Sequence, residues 1–152
     1  VDPARLVFAR NEPQARHLAR HALADLFLDT TPCNAHTTAS DALWAGLPVL
    51  TCLGHTFAGR VAASLLTAVG LPARVTTSLA DYEALALQLA HNPGQLAALR
   101  QRLQTQRMTQ PLFDAPAYAR HLEAAFATMH QRARQGLPPA AFAVAPLNSY
   151  SS

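Results

Sequence analysis

The segment His36-Thr37-Thr38-Ala39-Ser40-Asp41 gathers residue types that can hold an anion at the start of a helix. A helix N-terminus leaves its first N–H groups without intrahelical partners and carries the positive end of the macrodipole, so both stabilise a phosphate placed there. Two consecutive Thr hydroxyls add donors, and the small Ala39 leaves room for a ligand to reach the first turn. Asp41 follows Thr37 by four residues, about one turn along the same face. From there its carboxylate can accept hydrogen bonds from ribose hydroxyls, while His36 can donate to a diphosphate oxygen. Spacing alone leaves a second reading open, in which Thr is an N-cap and Asp41 complements the helix dipole.

The elements around this segment decide where it sits. In open parallel sheets, ligands bind beyond the carboxyl ends of the strands, where helix N-termini converge. Short apolar runs alternate with amphipathic stretches over the first two-thirds of the chain, which reads as βαβ units around a parallel sheet. Strands are expected at Leu6-Val7-Phe8, Leu26-Phe27-Leu28, Pro48-Val49-Leu50-Thr51 and, as a short edge, Arg74-Val75-Thr76. Helices are expected from about Pro13 to Leu23, Thr37 to Ala45 (stopped by Gly46) and Phe57 to Val69 (stopped by Gly70). Further helices follow: Leu79 to His91 behind the cap Ser78, Pro93 to about Met108 behind Asn92, and about Pro116 to Gln135. The last repeats apolar residues at Tyr118, Leu122, Ala125, Phe126 and Met129. The fold class is therefore α/β, a partial Rossmann-like parallel sheet with extra C-terminal helices. A doubly wound domain has more strands, and the chain opens on Val1-Asp2-Pro3 in mid-pattern, so it reads as a piece of something longer. The organisation expected is a lobe over 1–110, incomplete at its N-terminus, a terminal helix over 111–136 and a loose tail over 137–152 rich in Pro, Ala and Ser.

Composition narrows the function classes. The 152 residues are half apolar and 14% charged, which is globular and not disordered. All 12 basic residues are Arg, which together with abundant Ala and Leu reads as a GC-rich bacterial coding bias. A net charge of +3 with scattered Arg gives no nucleic-acid-binding patch; Arg100, Arg102 and Arg107 read as a solvated helix face. Cys33 and Cys52 form no CxxC pair and no metal-ligand spacing, so a reduced cytoplasmic setting is expected. No apolar run reaches about 18 residues, and neither export nor a membrane span is expected.

The stretch Ala24-Asp25-Leu26-Phe27-Leu28-Asp29-Thr30, then Cys33-Asn34-Ala35-His36-Thr37-Thr38, then Asp41-Ala42-Leu43-Trp44-Ala45-Gly46-Leu47-Pro48-Val49 resembles the O-linked N-acetylglucosamine (O-GlcNAc) transferase family. The likeness continues through Gly54, Thr56, Arg60-Val61-Ala62-Ala63-Ser64, Leu71 and Pro111-Leu112-Phe113, over roughly positions 4 to 128. It implies the carboxyl-terminal, donor-binding lobe of a GT-B inverting transferase. Such an enzyme moves N-acetylglucosamine from UDP-GlcNAc to Ser or Thr of an acceptor protein or peptide, with no metal or other cofactor. The family's partners for this lobe are an upstream catalytic lobe and tetratricopeptide repeats. Position by position, the resemblance assigns UDP binding to Thr37 and Thr38 (diphosphate), His36 (a neighbouring phosphate contact), Asp41 (ribose), His17 (stacked on uridine) and Arg20 (uracil edge). Gln14 stands where the family usually carries a ribose-contacting Lys, so it can hydrogen-bond a hydroxyl but brings no charge. Leu53-Gly54-His55 likewise replaces a Pro-Gly-Glu turn. The catalytic Lys and the general base fall upstream, so no catalytic residue is expected in this chain.

Other readings stand beside this one. A UDP-glucose-dependent enzyme that glycosylates Asn, another UDP-sugar enzyme such as an epimerase, and a non-catalytic nucleotide-binding module all fit the nucleotide motif. Taken singly, His17 reads as a surface histidine, and His21, His91, His121 and His130 carry no partner pattern. Trp44 and Cys33 read as packing residues, Asp29 as a cap on the loop after its strand, and Arg60 as a structural ion-pair residue.

Overall fold

The computed structural model describes residues 2–146 and divides the chain into two units, Val1–Arg107 and Met108–Ser152. The first unit is α/β. Its helices are α1 (Gln14–Arg20), α2 (Thr37–Trp44), α3 (Val61–Ala68), α4 (Leu79–Ala90) and α5 (Pro93–Gln106). Its strands are β1 (Phe27–Leu28), β2 (Val49–Cys52) and β3 (Val75–Thr76), paired in parallel in the order β1-β2-β3. Phe27 faces Val49 and Leu28 faces Leu50 on one side; Thr51 faces Val75 and Cys52 faces Thr76 on the other. All four residues of the central strand are buried, as expected for a parallel strand covered on both faces.

The helices form where local signals place them. In α2 the buried Ala39, Ala42 and Leu43 recur at helical spacing and turn one face to the core. Gly46 ends it at φ 84°, where Leu47 N–H donates to Ala42 O (2.8 Å) and Gly46 N–H to Leu43 O (3.1 Å). That left-handed stop disfavours any residue with a Cβ. The return to β2 is therefore short. Across the far ends of α2 and α3 lies α5. Arg107 donates to Trp44 O and Arg102 to Gly70 O (2.8 Å), while Arg100 donates to Ala24 O. These arginines are thus hydrogen-bonded to backbone, two of them at helix C-termini where a cation is favoured, and not merely a solvated face.

The structure corrects several expectations. Leu6-Val7-Phe8 is not a strand: no neighbouring strand pairs with it among the described residues, and Val7 is 91% exposed. An extended apolar run becomes a strand only where a partner satisfies its backbone. Helix α3 begins at Val61 instead of Phe57, because Gly59 N–H donates to Thr56 O (3.1 Å) and Arg60 N–H to Phe57 O (3.0 Å), winding residues 56–60 into tight turns. Trp44 is 39% exposed, not core, with the Arg107 guanidinium 5.0 Å from its ring centroid. Cys33 is exposed too.

In the second unit, α6 (Ala115–Arg134) starts at the cap Asp114, whose carboxylate accepts from Ala117 N–H (2.9 Å). After Gly136 the chain returns along the end of this helix. Arg132 Nη2 donates to Pro138 O (2.9 Å), and Leu137, Pro138 and Phe142 help to line a cavity of about 340 Å³ with Met129 and Arg132. Residues 147–152 of the tail lie outside the described residues. No helix among the described residues is long and apolar enough to cross a membrane.

Candidate functional site

The candidate site gathers at the carboxyl ends of β1 and β2. Helix α2 starts there with His36 at its N-cap position, and no side chain caps it. The first helical bond of the turn runs from Ser40 N–H to His36 O (3.1 Å), so the N–H groups of Thr37, Thr38 and Ala39 precede the helical ladder. Thr37 and Thr38 are exposed, Ala39 is buried, and no acidic residue stands in the first turn. The helix therefore presents donors and a positive pole with no counter-charge in its first turn.

Asp41, one turn along, meets α1. Its Oδ2 lies 3.4 Å from His17 Nε2, both side chains being about one-quarter exposed. Arg20 Nη2 lies 2.6 Å from His17 Nδ1, and Arg20 Nη1 donates to Arg10 O (2.8 Å). Arg20 has only protons to offer, so His17 Nδ1 accepts and the ring proton sits on Nε2, facing Asp41. Beneath, His21 is buried, with its Nδ1 2.9 Å from His17 O and its ring edge-on to that of His17 (centroids 4.9 Å apart). The fold thus brings His17, Arg20 and Asp41 into one row of close polar contacts beside the start of α2. Gln14 stands on α1 one turn before His17, exposed and outside that row.

A loop network underneath was not legible in advance. Asp29, read only as a strand-end cap, is 5% exposed. Its Oδ1 accepts from Thr30 N–H (2.9 Å) and Ala35 N–H (2.7 Å), and its Oδ2 accepts from the Thr51 hydroxyl of β2 (2.6 Å). The Tyr82 hydroxyl of α4 donates to Asp29 O (2.9 Å). Burial raises the Tyr82 pKa above 10.0, and the charges of Asp29 and then Cys52 push it the same way, so the hydroxyl keeps the proton it donates. The loop, which contains a cis Thr31–Pro32 bond, is closed by Thr30 Oγ1 donating to Cys33 O (2.8 Å) and Asn34 Nδ2 to Thr30 O (3.1 Å).

The loop after β2 packs against it. Asn34 N–H donates to Ala58 O (2.9 Å), His36 Nε2 lies 3.4 Å from the same oxygen, and the His36 and Phe57 rings meet edge-on. Gly59 makes this approach possible: a Cβ there would stand 2.9 Å from Pro32 O. Beyond Phe57 opens a cavity of about 820 Å³ lined by Leu53, Arg60, Val61 and Pro72 among others. Among the described residues no group of three or more His, Cys, Asp or Glu side chains is placed to hold a metal ion.

Comparison with known proteins places these features in context. Glycosyl transferase family 41 matches residues 1–122. The chain is 39% identical over 145 residues to a probable UDP-N-acetylglucosamine–peptide N-acetylglucosaminyltransferase, SEC, of Arabidopsis thaliana, covering 95% of this chain and 15% of that protein. It is 36% identical over 138 residues to a UDP-N-acetylglucosamine–peptide N-acetylglucosaminyltransferase of Caenorhabditis elegans, covering 91% and 12%. Among solved structures, a mutant of the Thermobaculum terrenum O-GlcNAc transferase superposes with a TM-score of 0.78 at 35% identity, over 82% of this chain and 24% of that one. The chain thus spans 12% to 15% of the length of these two curated relatives.

Proposed function

Because the chain belongs to glycosyl transferase family 41, we propose that it is the donor-nucleotide half of a protein O-GlcNAc transferase, acting with inversion on UDP-GlcNAc. The observation that carries this reading is the row His17–Asp41 and His17–Arg20 beside an uncapped helix N-terminus. In it, the N–H groups and hydroxyls of Thr37 and Thr38 hold the diphosphate, with His36 adding a donor. Asp41 takes ribose hydroxyls and Gln14 a further one, while His17 stacks on the uracil and Arg20 reaches its edge.

The chemistry follows from the leaving group. As the sugar–phosphate bond breaks, negative charge builds on the β-phosphate, and preorganised donors around it lower the barrier. In this proposal no metal shares that work. The base that activates the Ser or Thr hydroxyl comes from an upstream lobe, and tetratricopeptide repeats present the acceptor protein. In that enzyme the nucleotide lobe spans 1–110 and the terminal helix 111–136. The whole works in the cytoplasm of a bacterium.

Titrating the full-length protein with UDP-GlcNAc and with UDP-glucose tests the donor. Tighter binding of UDP-GlcNAc is expected, and failure of both to bind sinks the reading. Thr38→Ala should weaken UDP binding about tenfold, the cost of one hydrogen bond to a charged group; unchanged affinity would count against the helix N-terminus as the diphosphate site. This chain alone should bind UDP weakly and transfer no sugar.

A further inference from the structure

Three donors, two loop N–H groups and a hydroxyl of the central strand, meet at one carboxylate beneath the site. Asp29 ends β1 with its N–H donating to Leu50 O (3.0 Å), so its own backbone is fixed in the sheet. Its carboxylate then reaches in two directions. Oδ1 holds Thr30 and Ala35, the first and sixth residues after it, and so pinches the loop shut two residues before α2 begins. Oδ2 holds the hydroxyl of Thr51, which is fully buried in the central strand. Thr51 is locked in turn, its carbonyl accepting from Thr76 Oγ1 (3.1 Å), and Tyr82 braces Asp29 O from α4.

Every group that faces the carboxylate is a donor. An ionised carboxylate is the side chain that accepts at both ends, whereas an amide of the same size must turn an NH₂ toward at least one of these donors. We infer that Asp29 is a positioning residue for the diphosphate site: its buried carboxylate sets the angle and depth at which the start of α2 is presented beyond the sheet. This rests on the donor-site reading above. It adds that diphosphate affinity depends on a residue the ligand never touches. The logic is the supporting layer of any preorganised site, in which small misplacements of donors are amplified into large losses.

The test compares UDP with uridine on the full-length protein, since the ratio of their affinities isolates the diphosphate. Asp29→Asn should lower UDP affinity about tenfold while uridine, held by α1 and Asp41, changes little. A general loss of folded protein would lower both equally, and that result, or an unchanged ratio in a folded variant, would overturn the inference. Should Asp29→Asn fail to fold, Thr51→Val removes the Oδ2 partner without changing shape, and Thr51→Ser restores the hydroxyl. The UDP-to-uridine ratio should fall in the first and recover in the second; a ratio unmoved in both overturns the inference. The donor reading is judged separately: if wild-type protein shows no preference for UDP over uridine, that reading falls and this inference with it. If wild-type prefers UDP, Thr38→Ala weakens it and the Asp29 and Thr51 variants do not, the inference alone fails.

Discussion

Helices α2 and α4 occupy equivalent places, each following a parallel strand and starting at the carboxyl edge of the same sheet. Their first turns are used in opposite ways. In α4, Ser78 accepts from Asp81 N–H (3.0 Å) and donates to Asp81 Oδ2 (2.7 Å), which satisfies one orphan donor and places a carboxylate at the positive pole. In α2 the cap position is His36, the first turn carries no acid, and Thr37 and Thr38 face outward. One helix start is consumed by the fold; the other carries neither a side-chain cap nor an acid in its first turn. Lack of a cap is not enough, since α3 lacks one too. What distinguishes α2 is the row from Asp41 through His17 to Arg20 alongside it.

The most damaging way to break this comparison is to move α2 without touching its donors. In Gly59→Ala the new Cβ would stand 2.9 Å from the Pro32 backbone oxygen, so the two loops must part. UDP affinity should drop by about a hundredfold, the scale of a misplacement near 1 Å in a preorganised site. Calorimetric titration measures it, and an affinity within twofold of wild type would show that the loop contact does not set the site. Next in size, exchanging the roles of the two helix starts should give crossed outcomes. Ser78→Ala should cost about 1 kcal/mol of stability by denaturant unfolding and leave UDP affinity unchanged. Thr38→Ala should do the reverse, shifting stability by less than about 0.5 kcal/mol, as an exposed substitution does. Two variants behaving alike would erase the distinction.

Both helices were equally legible in the sequence. Ser78, Asn92-Pro93, Gly46 and Gly70 act within a few residues, and the boundaries they mark for α2, α4 and α5 agree with the sequence to within a residue or two. The return partner of Ser78 is Asp81, three residues on. The start of α3 was misread because Phe57 fits the helical period, while the turns that exclude it depend on Gly59 packing against another loop. Leu6-Val7-Phe8 has strand-forming residues, but strand formation depends on a partner that local sequence does not contain. In the site, His36 to Asp41 were legible as a possible anion site, and the resemblance drew in His17, Arg20 and Gln14. Asp29, Thr51 and Tyr82 were not, because their bonds join residues 22 and 53 positions apart and no local pattern encodes them.

Tyr82 supplies the smallest effect and the finest test of how the two helix starts are linked, for it stands in α4 yet braces the loop that leads to α2. Burial first, and then the Asp29 and Cys52 charges, raise its pKa above 10.0. An acid whose pKa is higher in the folded state than in the unfolded chain contributes stability that is fully present below the unfolded value. As pH rises past about 10 the unfolded chain loses the proton first, so unfolding gains and the contribution fades until the folded pKa is passed. Stability by denaturant unfolding should therefore fall between pH 9.5 and 11 (roughly the range around the unfolded tyrosine value) more steeply in wild type than in Tyr82→Phe. Near neutral pH the same variant should lose only the one bond to Asp29 O, about 1 kcal/mol. If the alkaline slopes coincide, the hydroxyl is not held as this geometry requires, and α4 does not brace the loop before α2.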